Sequence, residues 1–384
     1  MRIVKAGLVG FGCAASAFSV ACAWDRDTLE YEHSLSGDAA FIIAGRFDKN
    51  PPLYYQMRLN RVAGELKRDP TKLALYDDAG VAADKLGKSD IAIEWMHKKG
   101  SQLKLQKASS DDWYRYHANL GTFYAHKWFR DGAKHQEIAL LNKAIAELRE
   151  ALRINPEAHF GRELVQVATI EMVRTGKQYL TKNASPDEYE FTGVLSESFE
   201  RALGPDYPTE KTWKGLLGLV AIGNAWESVD VFVLISHFLS RGRLSTIAKL
   251  ASFRVEELEA SGARSLFGSD TMARAFGEGW RIERGSEGKL RRAYDEMRNA
   301  AIAYDKARDE YMIPLLNQGK HPDTDPNFWA GFSPPTMPNI DLYDPEPAAQ
   351  RLMERPWLIA TVVVMEIAAV LFVIRYLRKR ATMQ

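Results

Sequence analysis

The residues best suited to chemistry in this chain are spaced in ways that argue against a catalytic or metal centre. His117, His126 and His135 recur every nine residues. On one continuous helix that offset turns successive side chains half a turn apart, so they form no obvious ligand cluster. Asp323-x-Asp325-x-Asn327 opens like a calcium loop, but Phe328 stands where the turn needs glycine and Pro334 where the last carboxylate belongs. No His-Glu-x-x-His, phosphate-binding glycine loop or Gly-x-Ser-x-Gly elbow occurs. The chain's 2 cysteines, Cys13 and Cys22, both precede Trp24. One carboxylate is conspicuous by its setting: Glu366 interrupts an apolar run near the C-terminus. These patterns predict no cofactor, no metal and no enzyme activity.

The two ends differ from the middle. Arg2 and Lys5 precede a mostly apolar or small stretch from Ala6 to Val20, and Ala21-Cys22-Ala23 supplies a small-x-small cleavage pattern before Trp24-Asp25-Arg26. Residues 1–23 thus read as a signal peptide, whose removal leaves a cysteine-free chain without disulfides, thiolate metal sites or cysteine nucleophiles. Ser19-Val20-Ala21 is a poor box for lipidation of Cys22, and a retained N-terminal anchor is the other alternative.

At the other end, Pro356 to Ile374 is an apolar run between Arg355 and Arg375, with Trp357 and Tyr376 at interfacial positions. Its length at about 1.5 Å per residue approaches the roughly 30 Å of a bilayer's hydrocarbon core. The expected transmembrane helix covers 356–376. Arg378, Lys379 and Arg380 in the 377–384 tail orient that tail to the cytoplasm and the body outside it. Within such a span Glu366 either pairs with a partner's transmembrane helix or stands protonated in a single-pass helix. The near balance of 51 basic and 50 acidic residues argues against nucleic acid as a ligand.

Between these ends the sequence predicts an all-α body of paired helices. Asp69-Pro70 reads as a helix cap with proline in the first turn. Tyr76, Ala79-Gly80, Ala83, Leu86-Gly87, Ala92 and Met96 follow at helix-pair spacing. After Ser109-Ser110, Leu120-Gly121-x2-Tyr124 opens a second unit, completed by Ala144-x3-Leu148-x2-Ala151-x4-Pro156. The passage resembles the tetratricopeptide repeat (TPR) family, in which small residues let two helices approach and large ones fill the gaps. The resemblance is good over 69–156 and weak over 36–68 and 157–205. Lys127 to Gln136 is an extension or loop absent from the family pattern. Ser185-Pro186-Asp187-Glu188 reads as a capping box for the helix carrying Leu195-x3-Phe199-x2-Ala202.

TPR-like repeats are therefore expected over 24–205, with further helical pairs over 206–313, including Trp213 to Gly242 and Leu244 to Ser261. A long helix from Glu287, ended by Pro314, either caps the last repeat or forms a coiled coil; its irregular apolar spacing favours the cap. Residues 314–355 read as a Pro-rich, acidic tether: His321 to Gln350 holds seven prolines, five acidic residues and no Lys or Arg. Its aromatics, Phe328, Trp329, Phe332 and Tyr343, either dock on the body as a self-bound peptide or simply lie along it.

The resemblance implies that the first helix of each pair lines a concave groove for an extended peptide or partner helix. Mapped onto this chain, the groove residues are Asp77, Asp84 and Lys85 from the first unit. Arg115, Asn119, Thr122 and His126 come from the second. Alternatively, all seven are ordinary solvated residues. Glu227-Ser228 is similar to the catalytic pair of helical lytic transglycosylases, but that family's glycine-rich continuation is missing. The leading expectation is a membrane-anchored extracytoplasmic scaffold for protein partners in a cell-envelope complex, with a bacterial periplasm the preferred setting. The alternatives are an envelope-polymer enzyme with an unrecognised site, or a ligand sensor acting through a membrane partner.

Overall fold

Apolar periodicity underlies the helices, and the computed structural model shows 13 α-helices and no strand among the described residues. Those residues are 39–156, 161–183, 185, 187–277 and 287–340. The expected signal peptide, the expected tether beyond Ile340, the expected span with Glu366 and the basic tail lie outside them. Among the described residues no helix is long and apolar enough to cross a membrane.

The helices are α1 (Ala39–Ile43), α2 (Pro52–Arg68), α3 (Leu73–Lys85), α4 (Ser89–Gln106), α5 (Ser110–Arg130), α6 (Ala139–Ile154) and α7 (Arg162–Lys182). They continue as α8 (Glu188–Leu203), α9 (Thr209–Ala221), α10 (Val229–Arg241), α11 (Ser245–Ala260), α12 (Thr271–Phe276) and α13 (Glu287–Asn317). From α2 to α8 each helix packs on the next, and α3 also meets α5. Then α9 packs on α7 and α10, α10 on α11, and α12 on α8 and α10. Short connections make successive neighbours antiparallel. The array also returns on itself: α1 packs against α9 and α11, and α13 touches both α11 and α2.

Close approach of the first pairs depends on glycine. A Cβ on Gly80 would stand 2.9 Å from both Met96 Cε and Phe123 Cε2. One on Gly121 would meet Leu148 Cγ at 2.7 Å and the Ala144 carbonyl at 2.9 Å. Opposite Gly121, α6 buries Leu141, Ala144, Ile145, Leu148 and Ala151, an i, i+3, i+4, i+7 stripe. Each of its leucines and isoleucines contributes about 1.5–3 kcal/mol by leaving water.

Several boundaries differ from expectation for identifiable reasons. Asp69 ends α2 rather than capping α3, because its carboxylate accepts from the Thr71 amide and hydroxyl and holds the turn. Ser109 does cap α5, in a reciprocal box with Asp112. The Lys127–Gln136 extension is a further helical stretch to Arg130 followed by a turn, closed by Trp128 Nε1 donating to the Lys134 carbonyl. Asp187, not Ser185, caps α8 by accepting from the Glu190 amide. The expected Trp213–Gly242 helix divides at 222–228, where the Ser228 side chain caps α10.

The turn after α1, with Gly45 at φ +95°, directs α1 toward α9 and α11. Pro314 lies inside α13, which runs on to Asn317. Proline there lacks the amide that would bond the carbonyl four residues back, and Gly319 at φ +82° then closes the helix.

Candidate functional site

Five of the seven polar residues assigned to a groove are buried between helices. Asp77 on α3 accepts from Lys99 Nζ on α4 at 2.6 and 2.8 Å, and from Asn119 Nδ2 on α5 at 2.9 Å. All three are buried. Burial raises the Asp77 pKa, and Lys99 and Asn119 oppose that rise without cancelling it.

Seven residues on, Asp84 makes a second station. His126 Nδ1 is 2.6 Å from its Oδ2, and Arg130 Nη1 is 2.5 Å from its Oδ1. Arg130 also donates to the Asp84 carbonyl at 2.8 Å and to Ser89 Oγ at 2.7 Å. Burial opposes ionisation of Asp84, but His126 and Arg130 outweigh it and hold the carboxyl below the usual range. His126 is itself pushed down, first by burial and then by Arg130 and Lys85. Asp84 opposes that shift, its carboxylate accepting from His126 Nδ1. Breaking such a buried set by removing one partner costs about 3–5 kcal/mol.

The remaining predicted residues are also engaged within the body. Thr122 Oγ1 accepts from Gln166 Nε2 on α7 at 3.0 Å. Arg115 pairs along α5 with Asp111 at 2.9 Å. Lys85 reaches the end of α9, where it donates to the Ile222 and Gly223 carbonyls and to Asn224 Oδ1 at 2.7 Å. Asp77, Asp84, Asn119, Thr122 and His126 are thus interior stitches and not groove surface. Only Lys85 and Arg115 are partly exposed. The physical reason is that a helix lying between two others buries both flanks, so the face expected to be concave is covered by neighbouring helices.

Other chemically suggestive residues have structural partners too. Ser228 is fully buried and its Oγ accepts from the Val231 amide. Glu227 is 3.7 Å from Arg254. His117 Nδ1 lies 2.6 Å from Glu147. No group of three or more His, Cys, Asp or Glu among the described residues is arranged to hold a metal ion.

The first part of the tether forms a second polar site. His321 is buried and stacks on Tyr54 of α2 with centroids 4.5 Å apart, its Nε2 3.1 Å from the Tyr54 carbonyl. The Asp323 side chain, 2 % exposed, accepts from Arg58 at 2.6 and 2.9 Å and from Arg61 at 2.5 Å. Arg58 is fully buried and also donates to Tyr54 Oη. Phe328 is buried beside Met312 and Leu316 of α13, and its carbonyl accepts from Tyr311 Oη at 2.6 Å. Trp329 stacks on Tyr311 at 5.9 Å, with Arg308 4.6 Å from its ring.

Of the two readings for the tether, the described part is docked. The incomplete calcium-like motif supplied this anchor: Asp323 meets arginines, and Asp325 accepts from the Asn327 amide. Nothing in local spacing identifies Lys99, Arg130, Arg58 or Arg61 as partners; only the helix-pair register, which sets Asp77 across from α4 and α5, hinted at the first two. Compared with known proteins, the chain matches no family model, no curated protein and no solved structure.

Proposed function

We propose that this protein is a membrane-anchored scaffold, presenting a TPR-like helical body outside the cytoplasm to protein partners in a cell-envelope complex. The observation that carries this reading is how the body's polar groups are used. Asp77, Asp84, Asn119, Thr122 and His126 each bond a neighbouring helix. Helices joined this way hold their arrangement without a ligand, which suits a rigid surface for recognition. The signal-like start, the 356–376 span and the basic tail supply export, anchorage and orientation in this reading. Glu366 supplies a polar contact for a partner's membrane helix. Because the expected groove residues are internal or engaged, partners meet the outer helix faces and the segments near α2 and α13.

Affinity purification of the full-length protein from mild-detergent membranes, with bound proteins identified by mass spectrometry, tests this. A reproducible stoichiometric partner is expected, and Glu366→Gln should lower its recovery severalfold. Purification of the protein alone would overturn the scaffold reading. Undiminished recovery with Glu366→Gln would remove the intramembrane contact from it.

A further inference from the structure

The docked stretch 321–332 is bound as a linear peptide is bound. It contains no α-helix, and it is held through a few side chains: His321, Asp323, Phe328, Trp329 and Phe332. Between them Thr324, Pro326, Asn327, Ala330 and Gly331 are exposed. Sparse anchors separated by exposed residues are the pattern of motif recognition, in which pockets take alternate side chains and the rest is spacer. The seat is built from two helices. Arg58 and Arg61 of α2 provide the carboxylate clamp, Tyr54 stacks on His321, and Tyr311, Met312 and Leu316 of α13 provide the apolar shelf. Phe332 closes the far end against Tyr304 and Tyr311.

Charge fits an exchangeable ligand. His321 to Gln350 carries no lysine or arginine, while the clamp offers two guanidinium groups to one carboxylate. The helices from α3 to α11 pack through their own neighbours, so occupancy of the seat is separate from their hairpin contacts.

We infer that the α2–α13 seat is a peptide-recognition site, filled in this structure by the chain's own segment. It accepts in trans a partner peptide of the same chemistry: a carboxylate, then two adjacent aromatic residues five and six positions later, and a third aromatic three beyond. The cis segment keeps the seat closed until such a peptide, at sufficient local concentration, replaces it. This deepens the scaffold reading by naming the chemistry of one class of partner, and it rests on that reading for its biological setting.

The test uses the purified full chain and a fluorescent peptide of residues 321–332, followed by anisotropy. Wild type should show binding at least tenfold weaker than a chain carrying Asp323→Asn with Phe328→Ala, whose own segment is weakened. On that variant, a peptide with asparagine at the position of Asp323 should bind at least tenfold more weakly. Adding Arg61→Glu to the chain should have a similar effect. A second form, with a protease recognition sequence inserted after Lys320 and then cut, leaves every seat residue unchanged and should exchange its segment for the labelled peptide.

Three outcomes would overturn the inference: a weakened or cut chain that stays folded yet binds no peptide, equal binding of the asparagine peptide, or loss of helical circular dichroism on weakening or cutting. The last would make the segment part of the core. None of these measurements involves a membrane or a co-purified protein, so failure here and failure of the scaffold reading are separable.

Discussion

At the residue scale, two buried carboxylates respond to pH with opposite signs. Asp230 on α10 accepts from the Leu266 amide at 3.1 Å, and its Oδ1 has no hydrogen-bond partner. Burial raises its pKa to about 6, against weaker opposing help from Ser265, the Leu266 amide and Lys177. A carboxyl whose folded pKa lies above its unfolded value favours the fold when protonated. Its contribution is complete below about pH 4 and is lost as pH rises through about 6. Asp230→Asn keeps the acceptor without the charge. The variant should be more stable than wild type by about 1–3 kcal/mol at pH 8 and nearly equal at pH 4, as read from urea unfolding at each pH.

Asp84 and His126 work the other way, since both folded pKa values are depressed. Their contribution is present above the unfolded values and falls away on acidification. For His126 this loss begins near pH 6.5. Asp84→Asn should therefore flatten the acid limb of the stability curve, whereas Asp230→Asn flattens the neutral one.

At the scale of the helix, glycine has two separable uses. Gly121 permits contact between α5 and α6, and its missing Cβ space is bounded by backbone that cannot swing away. Gly64 lies on the exposed side of α2 with nothing within 4 Å of a would-be Cβ. Gly121→Ala should destabilise the protein by about 1–3 kcal/mol through overpacking. Gly64→Ala should stabilise it by roughly 0.5–1 kcal/mol by restricting the unfolded chain. Thermal unfolding of the pair reads both signs; a stabilising Gly121→Ala would show that the hairpin is looser than its contacts indicate.

At the scale of the whole body, polar and aromatic contacts help join its beginning to its end. Lys49 Nζ bonds Asp305 on α13 and the Gly45 carbonyl, Lys85 caps the end of α9, and the 321–332 segment ties α2 to α13. Truncating the aromatic anchor should loosen this closure before it loosens the hairpins. In Phe328→Ala, amides of α2 should exchange with solvent severalfold faster while those of α5 and α6 stay as in wild type. Uniform acceleration across both regions would mean that the body opens as one cooperative unit.

What the sequence by itself determined was local. Helical class, the Ser109 cap on α5, the small residues at Gly80 and Gly121 and the apolar stripe of α6 are all legible, because each rests on periodicity or on neighbours a few positions away. The same local reading misjudged Asp69 and Pro314, at the ends of helices. Tertiary structure alone decided the fate of the polar residues. Asp77, Asp84 and His126 have the spacing of an exposed groove and the burial of an interior network. Which of these they adopt depends on what α4, α5 and the returning segments lay over them. Asp323 likewise finds Arg58 only because α13 returns the chain to α2. Ion pairing in a low-dielectric interior is set by distance in space, and a single sequence displays only distance along the chain.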